Sequence, residues 1–181
     1  MSLLPTDTLL VEQPWTAFSL LWRPKYRADV YDGRDLPIAI VREGRGPGLL
    51  TPLRLTGFSG WTPFDLRVTA PNGQPLLNIR KGIGRRVDVT APNGQALGSV
   101  RRFALLDPSG RQICQLGDVA HVNTRQLTKR NGRRVRRDVV RIRPGVAEPL
   151  RSLAIAAGVA FDVVHGKGTS HVGGGGDWPA G

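Results

Sequence analysis

One stretch near the C-terminus, residues 153–161, would form a helix with no charged side chain on any face. Glu148 and Pro149 suit the first turn of this helix, and Gly166 suits its end. A helix without a polar face must be surrounded on every side, either by lipid or by protein. Because a membrane span needs about 20 apolar residues, the run favours a buried core helix over residues 149–164.

The sequence before this helix is almost entirely of β type, which limits what can surround it. An α-helix is about 10 Å wide. Barrels of eight strands are filled by their own side chains, whereas barrels of about eleven strands enclose a central helix. The predicted fold is therefore mainly β, with a large closed antiparallel barrel around one central, buried C-terminal helix. Residues 1–20 are expected to be an arm with one short strand at 8–13, residues 21–165 the barrel, and residues 166–181 a flexible Gly-rich tail.

A repeated motif supports the β interpretation. The sequence TAPNGQ occurs at residues 69–74 and again at 90–95, and a weaker copy follows at 103–111. Each copy has a strand, a turn with residues that tolerate positive φ, and a return strand. Apolar and polar residues alternate along 64–69, which predicts one buried face and one solvated face.

Other hairpins are predicted from the same signals. The alternation in the last strand breaks, because arginines there share a face with valines, and a bulge near Asp138 would repair the register. The predicted pairs are residues 26–31 with 36–42 and residues 120–127 with 133–143, and a weaker strand is predicted at 49–55.

The charge of the chain points to an anionic partner. The formal net charge is +12, and 26 Lys and Arg residues, nearly all of them Arg, face 14 acids. Arginine keeps its charge and binds phosphate through a planar, bidentate fork, so nucleic acid and an acidic membrane surface both qualify as partners. A coding bias towards Arg, Gly, Ala and Pro, as in a GC-rich bacterial genome, would explain Arg over Lys but not the shortage of acids.

Two clusters of basic residues are candidate binding sites for such an anion. One cluster lies at the last hairpin, and the alternative for it is a run of solvated charges. The other lies around two glycines earlier in the chain, and the alternative for it is a plain hairpin loop. The first, at the last hairpin, comprises Arg125, Lys129, Arg130, Arg133, Arg134, Arg136 and Arg137. The second comprises Lys81, Arg85 and Arg86, around the glycines at 82 and 84.

Signals for an enzyme, a metal site or a cofactor are weak, and none of the three is expected. The three histidines, His121, His165 and His171, form no pair with metal-ligand spacing. Cys114 is the single cysteine, lies in an apolar strand pattern, and is expected to be a buried structural thiol in a reducing compartment. Residues 1–14 lack the pattern of a signal peptide, which predicts a cytoplasmic protein, peripheral to the membrane if it binds one.

The order of these segments resembles the phospholipid scramblase and LURP-one-related families, which share the tubby C-terminal-like fold. The likeness covers roughly residues 8–165. It is carried by residues 9–13 (LLVEQ), the hairpin at 26–42 with its Asp-Gly turn, residues 62–74 (TPF leading to NGQ), and the helix at 150–162. The resemblance implies a barrel of about twelve strands around a central C-terminal helix. It also implies a basic barrel surface of the kind that holds phosphoinositide headgroups in tubby domains.

The chain lacks two sequence features that scramblase activity depends on. Scramblases carry an acidic calcium-binding segment before the closing helix, but residues 136–144 here contain Asp138 as the only acid. One carboxylate cannot supply the six to eight oxygen ligands that Ca²⁺ takes. The cluster of palmitoylated cysteines is absent as well.

The sequence therefore predicts a non-enzymatic module whose basic surface binds anionic phospholipid headgroups at the cytoplasmic membrane face. Lipid translocation of the scramblase type is an alternative. Non-specific contact with nucleic-acid phosphates, or a protein-docking scaffold, is a further one. Sequence-specific reading of nucleic acid is disfavoured because the one helix is expected to be buried and aromatic residues do not intersperse the basic run.

Overall fold

A computed structural model of the chain describes residue 4 and residues 6–14, 26–44, 63–82 and 86–161, with the backbone alone at 124–126. The predicted strand at 49–55 and the tail at 166–181 lie outside these ranges. The described part contains two helices, α1 (Leu116–Val119) and α2 (Leu150–Val159). Its strands are β1 (Thr8–Pro14), β2 (Arg27–Asp32), β3 (Pro37–Glu43), β4 (Phe64–Thr69), β5 (Pro75–Lys81), β6 (Arg86–Thr90), β7 (Ala96–Arg101), β8 (Ala104–Leu106), β9 (Gln112–Gln115), β10 (Ala120–Arg130) and β11 (Arg133–Ile142).

All eleven strands belong to one antiparallel sheet, so the prediction of a mainly β fold is confirmed. The strand order is β10-β11-β1-β2-β3-β4-β5-β6-β7-β8-β9. Neighbours in the sheet are neighbours in sequence except at one place, where β1 pairs with β11. This pairing places the N-terminal strand beside the basic hairpin formed by β10 and β11.

The predicted closure of the barrel is not found in the strand pairing of the described residues. β10 and β9 are the first and last strands of the sheet, and no ladder joins them. The chain between β9 and β10 forms the helical turn α1 instead of a hairpin. The backbone N–H of Arg143, just after β11, donates to the carbonyl of Val119 in α1 at 2.8 Å.

The two copies of the repeated motif fold in the same way. Gly73 and Gly94 have φ angles of 86° and 85°, a conformation that favours glycine. In each turn the backbone N–H two residues after Asn72 or Asn93 donates to the Asn Oδ1 at 3.0 Å. The side chains of the motif thus supply the turn chemistry that the sequence predicted.

The predicted bulge near Asp138 is found at that point of the ladder but in the partner strand, where residues 124 and 125 of β10 lie opposite Asp138. β11 pairs with β1 without a break, and the irregularity lies in β10, between Asn123 and Gln126. Arg136 and Asp138 face the core, with 3.6 Å between Nη2 and Oδ2 of the two side chains. On the inner face of β11, Arg136 and Asp138 stand where two apolar residues are expected. For this reason the alternation of polar and apolar residues in the sequence is broken without a bulge in β11.

The helix α2 is buried, as predicted. Every residue from Arg151 to Val159 is buried, and Phe161, just after the helix, is 2% exposed. A Cβ on Gly158 would lie 2.7 Å from the Val140 side chain of β11, so the helix and this strand are in close contact. The helix also packs against β7 and β8. It ends at residue 159 in the structure, and the predicted extension over 162–164 lies outside the described ranges.

Polar contacts hold both ends of α2. Near its start, Nη1 of the buried Arg151 donates to Oδ1 of Asp7 at 2.9 Å. At its end, the Tyr26 hydroxyl donates to the carbonyl of Val159 at 2.9 Å and accepts a hydrogen bond from Gln13 Nε2 at 2.8 Å. Burial raises the pKa of the Tyr26 hydroxyl well above its ordinary value.

Candidate anion-binding site at the basic hairpin

The last hairpin is closed by a tight turn at Asn131 and Gly132. Both residues have positive φ, 49° and 76°, which is the geometry of a type I′ turn. The register pairs Arg130 with Arg133 across this turn. Backbone pairing with β1 ends at Val135, so the tip of the hairpin extends past the last residue that pairs with β1.

Glu12, in the middle of β1, anchors the hairpin to the sheet. Its side chain is 3% exposed and accepts hydrogen bonds from Arg130 Nε at 2.5 Å and Nη2 at 3.0 Å. Arg137 adds a hydrogen bond from Nε at 2.8 Å to the same carboxylate. One buried carboxylate therefore binds two arginines of the predicted site, and charge-assisted hydrogen bonds of this kind are the strong ones.

Arg130 is held by two further contacts. Its Nη2 lies 2.7 Å from Oδ1 of Asp35, in the β2–β3 turn, and its guanidinium carbon lies 3.8 Å from the centre of the Tyr31 ring. The hydrogen bond to Glu12 raises the pKa of Arg130 further, and the hydrogen bond from Arg130 lowers the pKa of Asp35 below its ordinary value. Arg130 is therefore a fixed structural cation.

An open groove of about 810 Å³ lies beside this cluster on the outer face of the sheet. Its lining carries four arginines and two acids, so its fixed charge is positive. Arg27 Nη2 lies 3.8 Å from Asp29 Oδ1, a loose contact between two partly exposed side chains. The groove is lined by Glu12, Pro14, Arg27, Asp29, Tyr31, Arg130, Asn131, Arg133, Arg134 and Val135.

The tip of the hairpin carries the accessible cations of the predicted site. Lys129, Arg133 and Arg134 are exposed, and the register pairs Lys129 with Arg134. Within the described ranges, Lys129 and Arg133 form no ion pair and no side-chain hydrogen bond. The side chains of Lys129 and Arg133 are therefore available to an anion in solution or on a surface.

Two of the predicted site residues lie inside the protein and are corrections to the prediction. Arg136 is 9% exposed and faces the core beside Asp138. Lys81 is 2% exposed, and its Nζ lies 5.8 Å from the centre of the Phe64 ring. Both sit at inward positions of their strands, where a long aliphatic stem packs with the core, so neither belongs to a surface site.

Of the remaining predicted residues, Arg86 is described and does not line the groove. Arg86 is exposed on β6, and its Nε donates to Asp88 Oδ1 at 2.9 Å. Arg85 and the side chain of Arg125 lie outside the described part. The two predicted clusters are therefore not one site, because Arg86 lies on β6, six strands from β11 in the sheet order.

Sequence reasoning missed the groove residues outside the hairpin. Glu12, Arg27, Tyr31 and Asp35 come from β1, β2 and the β2–β3 turn, more than 90 residues before Arg130. One signal was present: Glu12 interrupts an apolar strand, and a buried acid needs a cationic partner. The partner's identity depends on the pairing of β1 with β11, which a single sequence does not display.

The other candidates of the sequence have ordinary environments. His121 is exposed, and its Nε2 lies 2.9 Å from Oδ1 of Asn123. Cys114 is half-buried, and burial raises its pKa, which keeps the thiol protonated. The described residues contain no group of three or more His, Cys, Asp or Glu side chains placed to hold a metal ion. Among the helices described, none is long and apolar enough to cross a membrane.

Comparison of the chain with family models, with curated proteins and with solved structures found no match.

Proposed function

We propose that this chain is a non-enzymatic module that binds anionic phospholipid headgroups with the tip of the basic hairpin, at the cytoplasmic face of a membrane. The observation that carries the proposal is the arrangement of Arg130 and its neighbours. Glu12, Asp35 and Tyr31 fix Arg130, and this leaves Arg133 and Arg134 exposed at the rim of a positively charged groove.

Preorganisation is the physical argument for a binding site. A run of basic residues without a binding role is usually mobile and solvated. In this hairpin, by contrast, Arg130 and Arg137 form ion pairs with the buried carboxylate of Glu12 in β1. A fixed hairpin gives up little conformational entropy when an anion binds. The turn itself suits a tight hairpin, because Asn131 and Gly132 adopt the conformation that a two-residue connection requires.

Electrostatic attraction supplies the binding energy in this proposal. Basic residues near an anionic membrane contribute about 1 kcal/mol each. Lys129, Arg133 and Arg134 together would give modest, salt-sensitive binding that the net charge of +12 strengthens at long range. Leu127, 65% exposed on the same hairpin, is the one large apolar side chain described there that could touch the lipid interface.

We also propose that the sheet curves around α2 as in the tubby C-terminal-like fold, with the helix at its centre. The helix contacts β11, second in the sheet order, and also β7 and β8, ninth and tenth. Strands so far apart in one sheet reach the same helix only if the sheet curves strongly. Burial of the helix on every side supports the same arrangement.

Vesicle co-sedimentation tests the proposed function. The wild-type protein would be mixed with phosphatidylcholine vesicles, with or without phosphatidylserine, over a range of salt concentrations, with duplex DNA as competitor. We expect pelleting only with the anionic vesicles, and we expect it to weaken as salt rises. Equal pelleting with neutral vesicles, or none at all, would remove the lipid proposal. Complete displacement by duplex DNA would favour non-specific nucleic-acid binding instead.

A further inference from the structure

Three arginines stand side by side on the outer face of the sheet, in β2, β3 and β4. The register pairs Arg27 with Arg42 and Arg42 with Arg67. All three side chains are exposed, while the inward neighbours Val41 and Val68 are buried. We call Arg27, Arg42 and Arg67 the arginine row.

The arginine row is unfavourable for the folded protein unless something neutralises it. Neighbouring strands lie about 4.8 Å apart, and like charges directly opposite each other in a sheet are destabilising. The next row on the same face shows the favourable arrangement, because Asp65, Arg80 and Asp88 follow one another across β4, β5 and β6 with alternating sign. Positive and negative side chains therefore alternate in the row of Asp65, Arg80 and Asp88, whereas the arginine row places three positive side chains next to one another.

Acids near the arginine row lie at its two ends. Asp29 Oδ1 is 3.8 Å from Arg27 Nη2. Asp65 lies beside Arg67, since Asp65 Oδ2 and Arg67 Nε would both be within 3.5 Å of a Cβ placed on Gly44. The central Arg42 forms no ion pair or side-chain hydrogen bond in the part of the chain that is described. The uncompensated charge is therefore at the centre of the row.

We propose that the arginine row binds a ligand with at least two neighbouring phosphoryl groups. Three guanidinium groups form two gaps, one on each side of Arg42, and the gaps are one strand spacing apart, about 4.8 Å. Each gap offers N–H donors from two planar forks, the arrangement that grips phosphate oxygens. A single phosphate fills one gap, whereas a chain of phosphates fills both.

This site is separate from the hairpin tip and shares only Arg27 with the groove. Its assignment rests on the strand register and the charges, and it does not require that the hairpin binds lipid. A soluble polyphosphate and a multiply phosphorylated headgroup present the same chemistry to the arginine row. The experiment below therefore measures the two sources separately.

Calorimetric titration with sodium tripolyphosphate and with sodium monophosphate tests the inference. The variant Arg42→Gln removes the central cation of the arginine row. The control variant is Arg80→Gln: Arg80 lies on β5, pairs with Asp65 on β4 and Asp88 on β6, and carries the same charge in the neighbouring row. We expect the wild type to bind tripolyphosphate more tightly than monophosphate. Arg42→Gln should weaken tripolyphosphate binding about tenfold, the loss of one charge-assisted hydrogen bond, and Arg80→Gln should leave it unchanged.

Folding of the variants is checked by thermal denaturation without ligand. Arg42 is exposed, so Arg42→Gln should unfold at or above the wild-type temperature, because it relieves repulsion with Arg27 and Arg67. A wild type that does not bind tripolyphosphate, or an equal loss of affinity in the two variants, would overturn the inference.

Vesicle binding gives the second arm. If Arg42→Gln also lowers pelleting with vesicles that contain phosphatidylinositol bisphosphate, a lipid with a multiply phosphorylated headgroup, headgroups use the arginine row. If it lowers tripolyphosphate affinity alone, the row takes a soluble ligand, and both results support the site. Failure of the wild type to pellet with anionic vesicles would contradict the proposed function and leave the tripolyphosphate result intact, so the two failures are distinguishable.

Discussion

The buried carboxylate of Glu12 accepts two hydrogen bonds from the guanidinium of Arg130, which lies 118 residues further along the chain. Arg137 donates to the same carboxylate. The basic hairpin is therefore divided between arginines that hold it in place and cations that remain at its tip. This division separates substitutions that should change stability from those that should change binding.

Replacement of Glu12 by Gln should destabilise the fold. The change leaves Arg130 and Arg137 without the negative charge that they share, and losing one partner of a buried ion pair is costly. We expect the free energy of unfolding to fall by about 2–4 kcal/mol in urea denaturation. The matched control is Asp29→Asn, which removes a carboxylate 3.8 Å from an exposed Arg27 and should cost at most about 0.5 kcal/mol. Equal losses in the two variants would contradict the anchoring role of Glu12.

Replacement of Asp35 by Asn should strengthen binding of anionic vesicles. The Asp35 carboxylate lies 2.7 Å from Arg130 Nη2 and occupies a position where a ligand phosphate could bind. Its removal frees a donor of Arg130 and raises the local positive charge. We expect a few-fold lower apparent Kd, measured by co-sedimentation. Asp107→Asn, in the β8–β9 turn, makes the same change in net charge at another place and should have a smaller effect. An equal gain in both variants would show that net charge alone acts.

The buried hydroxyl of Tyr26 should make stability depend on alkaline pH. Burial is the main cause that raises its pKa in the folded protein, whereas the unfolded chain should titrate near the ordinary value of about 10. Above that pH the unfolded state loses the proton first, so stability should be full below about pH 10 and should fall as pH rises further. Urea denaturation at several alkaline pH values should show a shallower fall for Tyr26→Phe than for Tyr31→Phe. Identical slopes in the two variants would contradict this assignment.

Replacement of Gly158 by Ala should disturb the contact between α2 and β11. The new methyl group would lie 2.7 Å from Cγ1 of Val140, in a position with no free space. We expect a loss of about 1–3 kcal/mol in the free energy of unfolding, and partial recovery when Val140→Ala is added. Gly117→Ala, in α1, meets no atom within 4 Å and serves as the control. If Gly158→Ala is as stable as the control, the helix is not packed as described.

Much of the fold follows from local patterns in the sequence. The turns at Asn72-Gly73 and Asn93-Gly94 were predicted because these residues tolerate positive φ, and their geometry in the two repeats is the same. The burial of α2 followed from the absence of a polar face. The closing ladder of a barrel was also expected, but α1 lies between β9 and β10, and a four-residue helical turn gives little periodic signal.

The candidate site was harder to predict because it depends on which strands are neighbours. Arg130 and Arg133 look equivalent in the sequence, yet Arg130 faces Glu12 and Asp35 while Arg133 does not. Arg136 looked like part of the surface cluster, but the unbroken register with β1 turns it towards the core. In a strand, a shift of one residue exchanges the two faces, so a basic run cannot be sorted without the register.

The central claim is that the tip of the hairpin binds the anionic surface. The most direct measurement is the apparent Kd for phosphatidylserine-containing vesicles of Arg133→Gln/Arg134→Gln. It is compared with Arg101→Gln/Arg141→Gln, which removes two exposed arginines away from the hairpin tip, one on β7 and one at the far end of β11. At about 1 kcal/mol per cation, the hairpin variant should bind at least about tenfold more weakly than the control variant. The same apparent Kd for both would contradict the account, because binding would then follow net charge and not the hairpin.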